Sequence, residues 1–247
     1  INGICAWQSN YPLDRLLVLD SIQRQQLLAN SNWYGKTALM WAAHFNDYDA
    51  IEQLLAQQAP VNAVTGGKNK WRSLQQDRRS ALMYASENAA PATIALLLKA
   101  GASTTAKDSA GNDLAFYLKK NRSLQLRGIT GISVEQLRQQ TVPEPSFACD
   151  KVTRAHEQLL CSSKGLRIYD AELSSRYQAL QKTAIASNLK DHQRQWLKKV
   201  WAECKLVEKA EELPCYKQQY RVRIRLLDML LEQLKPLSAE RNPEIAY

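Results

Sequence analysis

Apolar residues recur along this chain at three- and four-residue steps, in two regimes. In the first half they come in short bursts. The segment starting at Thr37 reads TALMWAAHFNDYDAIEQLLAQQAPVNA, and the one starting at Ser80 reads SALMYASENAAPATIALLLKAGASTTA. At an offset of 43 residues, Ala38-Leu39-Met40 falls on Ala81-Leu82-Met83, Ile51 on Ile94, and Leu54-Leu55 on Leu97-Leu98. A third, weaker copy, GNDLAFYLKKN, starts at Gly111, with Asp113 standing 33 residues after Ser80. Such self-similarity predicts stacked units, each of two short helices whose apolar faces are buried only against a neighbouring unit. Leu39, Leu54, Leu55, Leu82, Leu97 and Leu98 are therefore expected in the core. Helical stretches at 12–29 and 113–120 are expected to cap the ends.

TVPEPSF at 141–147 carries two prolines and ends the repeat region as a linker or rigid turn. Beyond it the helical period lengthens. Leu166, Tyr169, Leu173, Tyr177 and Leu180 form one run; Leu189, Trp196, Val200 and Val207 form another, with Gln193 in register. Tyr216, Tyr220, Ile224, Leu227, Leu231 and Leu234 form the last. The pattern predicts a small bundle of three long helices and one short one. Pro214 is expected in the first turn of the last helix. The fold class is all-α throughout.

Composition narrows the function classes. The 247 residues suffice for one large domain or two small ones. With 9 Gly and 8 Pro, the chain is neither loop-rich nor disordered in character. No apolar run reaches about 18 residues, so no membrane span is expected. The formal charge is +9, with 18 basic against 13 acidic residues from Pro145 onward. The excess is spread over both halves without a dense block, which reads as a solvated basic surface rather than a nucleic-acid site. The chain starts at Ile1 without a methionine, compatible with removal of an upstream segment. NGIC at 2–5 is a poor lipoprotein cleavage site, because a bulky Ile4 precedes Cys5. GGKNK at 66–70 lacks the second glycine-lysine-hydroxyl unit of a phosphate-cradling loop; it reads as a mobile basic finger that Trp71 tucks down.

The cysteines bear on the compartment. Cys149 and Cys161 are twelve apart, and Cys204 and Cys215 eleven. Zinc ligands usually come in pairs two to four apart, and redox pairs as C-x-x-C. Two structural disulfides remain, and no metal or cofactor is expected. His156, between the first pair, reads as a helix-surface residue. If 150–161 is one helix, its ends lie roughly 17–18 Å apart. A disulfide tolerates at most about 7 Å between Cα atoms, so Cys149–Cys161 requires a break in that helix. Cys204–Cys215 would close a loop over KLVEKAEELP. Pairing across the two segments is the other choice, and all three connectivities stay open. Cys5 is left as a free thiol. Glu157 and Asp170 lie thirteen apart on different predicted helices, which gives no support to a glycosidase carboxylate pair; no catalytic residues are expected.

The 33-residue spacing resembles the ankyrin repeat, with ten extra residues in the first unit near 66–75. The residues that carry the resemblance are Gly35-Lys36-Thr37-Ala38-Leu39 for G-x-T-P-L, Ala42-Ala43, the Leu-Leu pairs and AGAS at 100–103. Arg78 takes the glycine position of unit two, and Gln58 stands where the second helix of unit one usually ends on glycine. The resemblance covers about residues 11–125. It implies that Trp41, Tyr84 and Tyr117, which share one repeat position, are inter-repeat framework. It places the variable, concave-facing positions at Trp33, Tyr34, Lys36, His44 and Phe45, then Gln76, Asp77, Arg79, Glu87 and Asn88, then Asn112, Lys120 and Asn121. Aromatics beside cations suit a protein-binding hot spot. Trp33 and Phe45 have a second reading, packing under the N-terminal segment.

The second half resembles the lysozyme inhibitor LprI-like family. PSFACDKVTRAHEQLLC, LRIYDAELSSRYQAL, HQRQWLKKVWAEC and CYKQQYRVRIRLL follow its pattern over about 145–228. Phe147, Glu157, Asp170, Leu173, Tyr177, Gln193, Trp196, Leu197, Tyr220, Arg223, Ile224 and the four cysteines match. Val200 stands where an arginine often precedes the third cysteine. The resemblance implies a bacterial periplasmic or secreted location and oxidised cysteines; some members inhibit lysozymes. Glu157, Asp170, Gln193, Trp196 and Arg223 read as inter-helix polar glue. The expected organisation is an ankyrin stack over 1–140, a linker at 141–148, and a disulfide-bonded helical domain over 149–247. The expected function is an exported binding protein that inhibits a cell-wall hydrolase by occlusion, as a lysozyme inhibitor or as immunity to a toxin. The alternative is a periplasmic ankyrin scaffold for an envelope protein. A +9 chain is repelled at long range by cationic animal lysozymes, so an acidic target or a locally acidic epitope fits better.

Overall fold

A computed structural model of the chain describes residues 29, 35–66, 77–123, 133–145, 147–183 and 185–234. The expectations for Cys5, most of the 12–29 helix, Trp33, Tyr34, Trp71 and Gln76 lie outside these residues. The first half builds helices α1 (Ala38–His44), α2 (Tyr48–Ala56), α3 (Ala81–Asn88), α4 (Pro91–Lys99), α5 (Leu114–Lys119) and α6 (Val134–Arg138). The repeat register is set by local chemistry. Thr37, Ser80 and Asp113 each cap their helix, accepting from the amides of Met40 (3.4 Å), Met83 (3.3 Å) and Phe116 (3.0 Å). Two residues before each cap, the backbone turns left-handed, at Gly35 (φ 69°), Arg78 (φ 50°) and Gly111 (φ 83°). The close of the second helix repeats the same turn at Gln58 (φ 62°) and Gly101 (φ 87°).

Arg78 and Gln58 thus hold a conformation that only glycine adopts without steric cost. Arg78→Gly is expected to stabilise the protein by about 0.5–1 kcal/mol, since the relief of strain exceeds glycine's added freedom in the unfolded chain. Gln58→Gly should behave alike. A lower urea midpoint for both variants would refute this.

The stack buries α1 against α3 and α3 against α5. Leu39, Leu54, Leu82, Leu97 and Leu98 are core, and Leu55 is half-buried against it. The core continues past residue 125, where the ankyrin resemblance ends: α6 packs on α4 and carries Leu137, which is 0 % exposed. Val64 and Ser80 form an antiparallel bridge, and the Thr65 amide donates to the Arg79 carbonyl at 2.9 Å. This closes the base of the expected insertion.

The second half opens with a 3-10 turn (Cys149–Lys151), then α7 (Ala155–Ser162), α8 (Lys164–Leu180), α9 (Ala186–Lys205) and α10 (Lys209–Gln233). These are the expected three long helices and one short one. Ser163 alone separates α7 from α8, and its hydroxyl accepts from the Leu166 amide at 3.1 Å. Cys149 pairs with Cys161 and Cys204 with Cys215, at Cα separations of 5.8 and 5.5 Å. The first pairing is met because residues 152–154 leave the helix, so 150–161 is not one helix. Pro214 departs from expectation: α10 starts at Lys209, which places the proline inside the helix rather than in its first turn. Its missing N–H would have met a carbonyl in that first turn, so one hydrogen bond near the helix start is lost. Val200, 1 % exposed, fills the bundle core.

The two halves meet along α2 and α8. Tyr48, Ala90, Ala92 and Ile168 form a small buried cluster, with Val142 of the expected linker packed on it. Asp49 sits at the start of α8, accepting from the Ser163 hydroxyl (2.8 Å) and the Gly165 amide (2.9 Å), where the helix dipole favours an anion. Lys217 of α10 reaches both Asp47 and Asp49, each at 2.8 Å. Nearby, the buried Arg176 donates to Asp228 (2.8 Å) and to the Arg122 carbonyl (3.0 Å). Ser123 donates to Glu172 at 2.6 Å.

Candidate functional site

Two places gather the residues singled out by sequence. The first is on the repeats. Lys36 lies over the rings of Trp41 (4.3 Å) and Tyr84 (4.2 Å), and Arg79 over those of Tyr84 (4.2 Å) and Tyr117 (4.5 Å). The result is a ladder of ring, cation, ring, cation, ring across three units. Tyr84 and Tyr117 are buried, as framework positions should be, while Trp41 is half-buried. The rings therefore serve both as packing and as seats for the cations, a favourable use of aromatic faces. Glu87 pairs with Arg79; burial opposes its charge, but that partner holds the carboxyl below the usual range. Burial pushes the Asp77 carboxyl up, against the pull of Arg79. Asn88 donates to the Tyr84 carbonyl at 3.1 Å and faces the His44 ring at 3.5 Å.

Burial, assisted by Arg79, lowers the Lys36 pKa to about 8, and burial with Lys36 beside it lowers that of His44 to about 4. At neutral pH the His44 imidazole beside the ladder is thus neutral, while Lys36 stays mostly protonated. An NMR titration of the Lys36 side chain should turn near pH 8; a midpoint close to 10.5 would contradict the packed arrangement.

Other expected concave positions are used otherwise. Phe45 stacks on Trp41 (centroids 5.6 Å apart), lies under Arg221 of α10 (5.4 Å), and its carbonyl accepts from Tyr169 of α8 (3.0 Å). It belongs to the junction with the bundle. Asn112 donates to Asp108 from its amide (2.8 Å) and side chain (2.9 Å). Asn121 is buried, donating to the Ser86 and Ala89 carbonyls; it is a tether, not surface. Lys120 lies over Phe116 at 3.9 Å.

The second place is a cavity of about 220 Å³ in the bundle. Phe147, Leu160, Leu166 and Leu197 supply apolar walls, and Tyr216 and Tyr220 aromatic ones. Glu157 and Asp170 both line it, although their sequence spacing had set them apart. The turn at Ser163 folds α7 back on α8 and brings them to one hollow. His156 also corrects expectation. It is not a surface residue: its ring stacks on Trp201 with centroids 3.9 Å apart, and its Nε2 is buried without a hydrogen bond. Burial lowers its pKa, so the imidazole is neutral at pH 7. Of the expected polar glue, Arg223 donates to Gln193 at 3.1 Å beside Trp196, which meets Tyr220 edge-on.

Sequence reasoning missed Asp47, Asp49, Gly165, Arg176 and Lys217, and took Tyr169 only as part of an apolar run. Each pairs with a residue far along the chain, and a charged residue on an amphipathic helix carries no local mark of such a partner. Among the described residues, no group of three or more His, Cys, Asp or Glu is placed to hold a metal ion, and no helix is long and apolar enough to cross a membrane.

Two protein families match the chain. Ankyrin repeats (3 copies) matches residues 5–108, and Lysozyme inhibitor LprI matches residues 149–235. The chain therefore carries ankyrin repeats followed by an LprI domain. The ankyrin match takes in the stretch at 12–29 and stops before the third unit, whose cap and left-handed glycine nonetheless repeat those of the first two. No curated protein and no solved structure matches the chain significantly.

Proposed function

We propose that this chain, ankyrin repeats joined to an LprI domain, is an exported bacterial protein that binds a cell-wall hydrolase and neutralises it by covering its substrate cleft. The observation that carries the reading is the LprI match over 149–235, lying on a bundle closed by two disulfides. The bridges suit an oxidising compartment such as the periplasm. The repeats add a second protein-contact surface, on which Lys36, His44, Asp77, Arg79, Glu87 and Asn88 are the proposed contact residues. Catalysis has no part in this reading; the two domains belong to binding families.

The test is titration of the whole oxidised chain into peptidoglycan digestion by a panel of lysozymes and bacterial hydrolases. At least one enzyme should lose activity in step with a defined complex. Unchanged rates throughout, with no complex formed, reject inhibition. The whole chain is needed, because Lys217 of the bundle neutralises Asp47 and Asp49 of the repeats.

The aromatic-cation ladder favours a second reading, a scaffold whose repeat face holds an envelope protein. Under that reading, Arg79→Ala abolishes recruitment of the partner while substitutions in the bundle cavity leave it intact.

A further inference from the structure

The alternation of rings and cations does not stop at the repeats. Phe45, just past the end of α1, stacks on Trp41 and lies under Arg221 of α10, so the ladder crosses onto the bundle. There the ends of the first helices of the repeats meet α8 in a crease, where Tyr169 donates to the Phe45 carbonyl and Arg176 to the Arg122 carbonyl, each at 3.0 Å. Basic side chains from both halves edge it. Arg122, which follows α5, is within electrostatic reach of His44 and Glu87; Arg221 and Arg225, one turn apart on α10, are within reach of Tyr169. Arg122 and Arg225 are exposed. The Arg221 guanidinium donates to Gln218 of its own helix at 2.7 Å, and its Nε is buried without a hydrogen bond. The carboxylates of the crease are engaged already: Glu87 with Arg79, Asp47 and Asp49 with Lys217, Glu172 and Asp228 with Arg176. The crease is thus left with an excess of positive charge drawn from both halves.

We infer that this crease is a single interface, spanning repeats and bundle, for an acidic segment of a partner protein whose carboxylates meet Arg122 of the repeats and Arg221 and Arg225 of α10. The inference deepens the proposed function, on which it rests for the reading of the partner as a protein. Guanidinium groups suit carboxylates, because their planar N–H fork binds both oxygens at once. Nucleic acid carries the same sign of charge but fits less well. Single strands gain affinity by stacking bases on open aromatic faces. Here the faces are taken: Lys36 and Arg79 cover Tyr84, and Lys36 and Phe45 cover Trp41. The Lys217 and Arg176 networks hold the two edges of the crease in register, so a partner meets a preformed surface and binding does not bear the cost of ordering it. Opposite charge also speeds the encounter of a basic chain with an acidic epitope.

The experiment is an NMR titration of the whole oxidised chain at low salt, with a capped Glu-Gly repeat peptide of four glutamates as probe. The matching Gln-Gly peptide, uncharged, and pentathymidylate, with four phosphates, are the comparisons. The acidic peptide should shift the His44 ring and Arg221 Nε signals saturably, and the shift should fade as salt is added. The glutamine peptide should bind at least about tenfold more weakly, and the oligonucleotide more weakly than the acidic peptide. Arg122→Gln and Arg225→Gln change one exposed side chain in each half and should leave folding intact. Each should weaken the acidic peptide by about two- to fivefold, while Lys190→Gln, at an exposed lysine of α9, should not. Absence of a saturable shift, equal binding of the two peptides, or an equal loss in Lys190→Gln overturns the inference. So does a loss confined to one of the two arginine variants, because the interface would then belong to one half. Tighter binding of the oligonucleotide overturns it in favour of nucleic acid. A chain that binds the acidic peptide through both arginines yet inhibits no hydrolase keeps the crease and loses the proposed target. One that inhibits a hydrolase while ignoring the acidic peptide loses the crease alone.

Discussion

Lys217→Met is expected to destabilise the protein by about 3–5 kcal/mol, the usual result of removing one partner from a buried charge network. The Lys217 side chain is 11 % exposed, and its Nζ stands 2.8 Å from oxygens of both Asp47 and Asp49. Burial works against its charge, but the two carboxylates outweigh it and raise its pKa. Burial likewise opposes the Asp49 charge, and Lys217, the Gly165 amide and the Ser163 hydroxyl together lower its pKa. Methionine keeps the bulk of the stem and removes the cation, leaving two carboxylates face to face between the halves. Urea denaturation measures the effect; a change below about 1 kcal/mol would show the junction to be solvated. Adding Asp47→Asn and Asp49→Asn to Lys217→Met should restore much of the loss, because the uncompensated charges are then gone. The pH dependence separates the two proteins. In the native chain the lowered Asp49 pKa stabilises above about pH 4, its unfolded value, and this is lost as pH falls through the folded pKa. The raised Lys217 pKa stabilises below about pH 10 and is lost as pH rises through its own folded pKa. The junction is therefore insensitive to pH between 5 and 9. In Lys217→Met the carboxylates lack a counter-ion and take up protons more readily in the folded state. Acidification from pH 7 to 5 should stabilise that variant relative to the native chain.

What sequence disclosed about this fold divides by range. The repeat register was legible because its determinants are local: a capping side chain at Thr37, Ser80 or Asp113, and a left-handed residue two positions earlier. Even the exceptions, Arg78 and Gln58, stood at identifiable glycine positions. The helix count of the second half followed from apolar periodicity. Its breaks did not. The six residues from Cys149 to Arg154 contain nothing that forbids a helix, yet the Cys149–Cys161 bridge draws the ends of the segment to 5.8 Å and the chain leaves the helix. The candidate cavity was hidden for the same reason. Glu157 and Asp170 line one hollow only because Ser163 ends one helix and begins the next. The contact between halves was least visible. Lys217 and Asp47 lie 170 residues apart, and each taken alone resembles an ordinary surface charge. Gly165 carries a trace of it: a Cβ there would stand 2.7 Å from the Asp49 Oδ2, so only glycine lets the carboxylate reach the start of α8. The ladder residues were named as contacts, but their mutual support, cation over ring over three units, required the stack itself.

Reduction of both disulfides should have the largest effect on the bundle. The bridges close loops of sequence separation 12 and 11, each worth about 3 kcal/mol in loop entropy of the unfolded chain. Together they contribute roughly 6 kcal/mol, comparable with the whole stability of many domains. Cys204 is 0 % exposed and belongs to the bundle core, so reduction also leaves a thiol where the α9–α10 turn was fastened. The reduced chain is expected to melt roughly 10–20 °C below the oxidised one. The cavity should be lost with it, because Cys161 anchors α7, which carries His156, Glu157 and Leu160. Matched melting curves with and without reductant test this; coincident curves would mean that packing alone holds the bundle. The consequence reaches the compartment. If the bundle needs its bridges, a reducing cytosol holds it in a weakened state, and the inhibitor-like half is competent only after export. Thiol counting on native material decides the matter, since four reduced cysteines at 149, 161, 204 and 215 would remove the physical ground for an envelope protein.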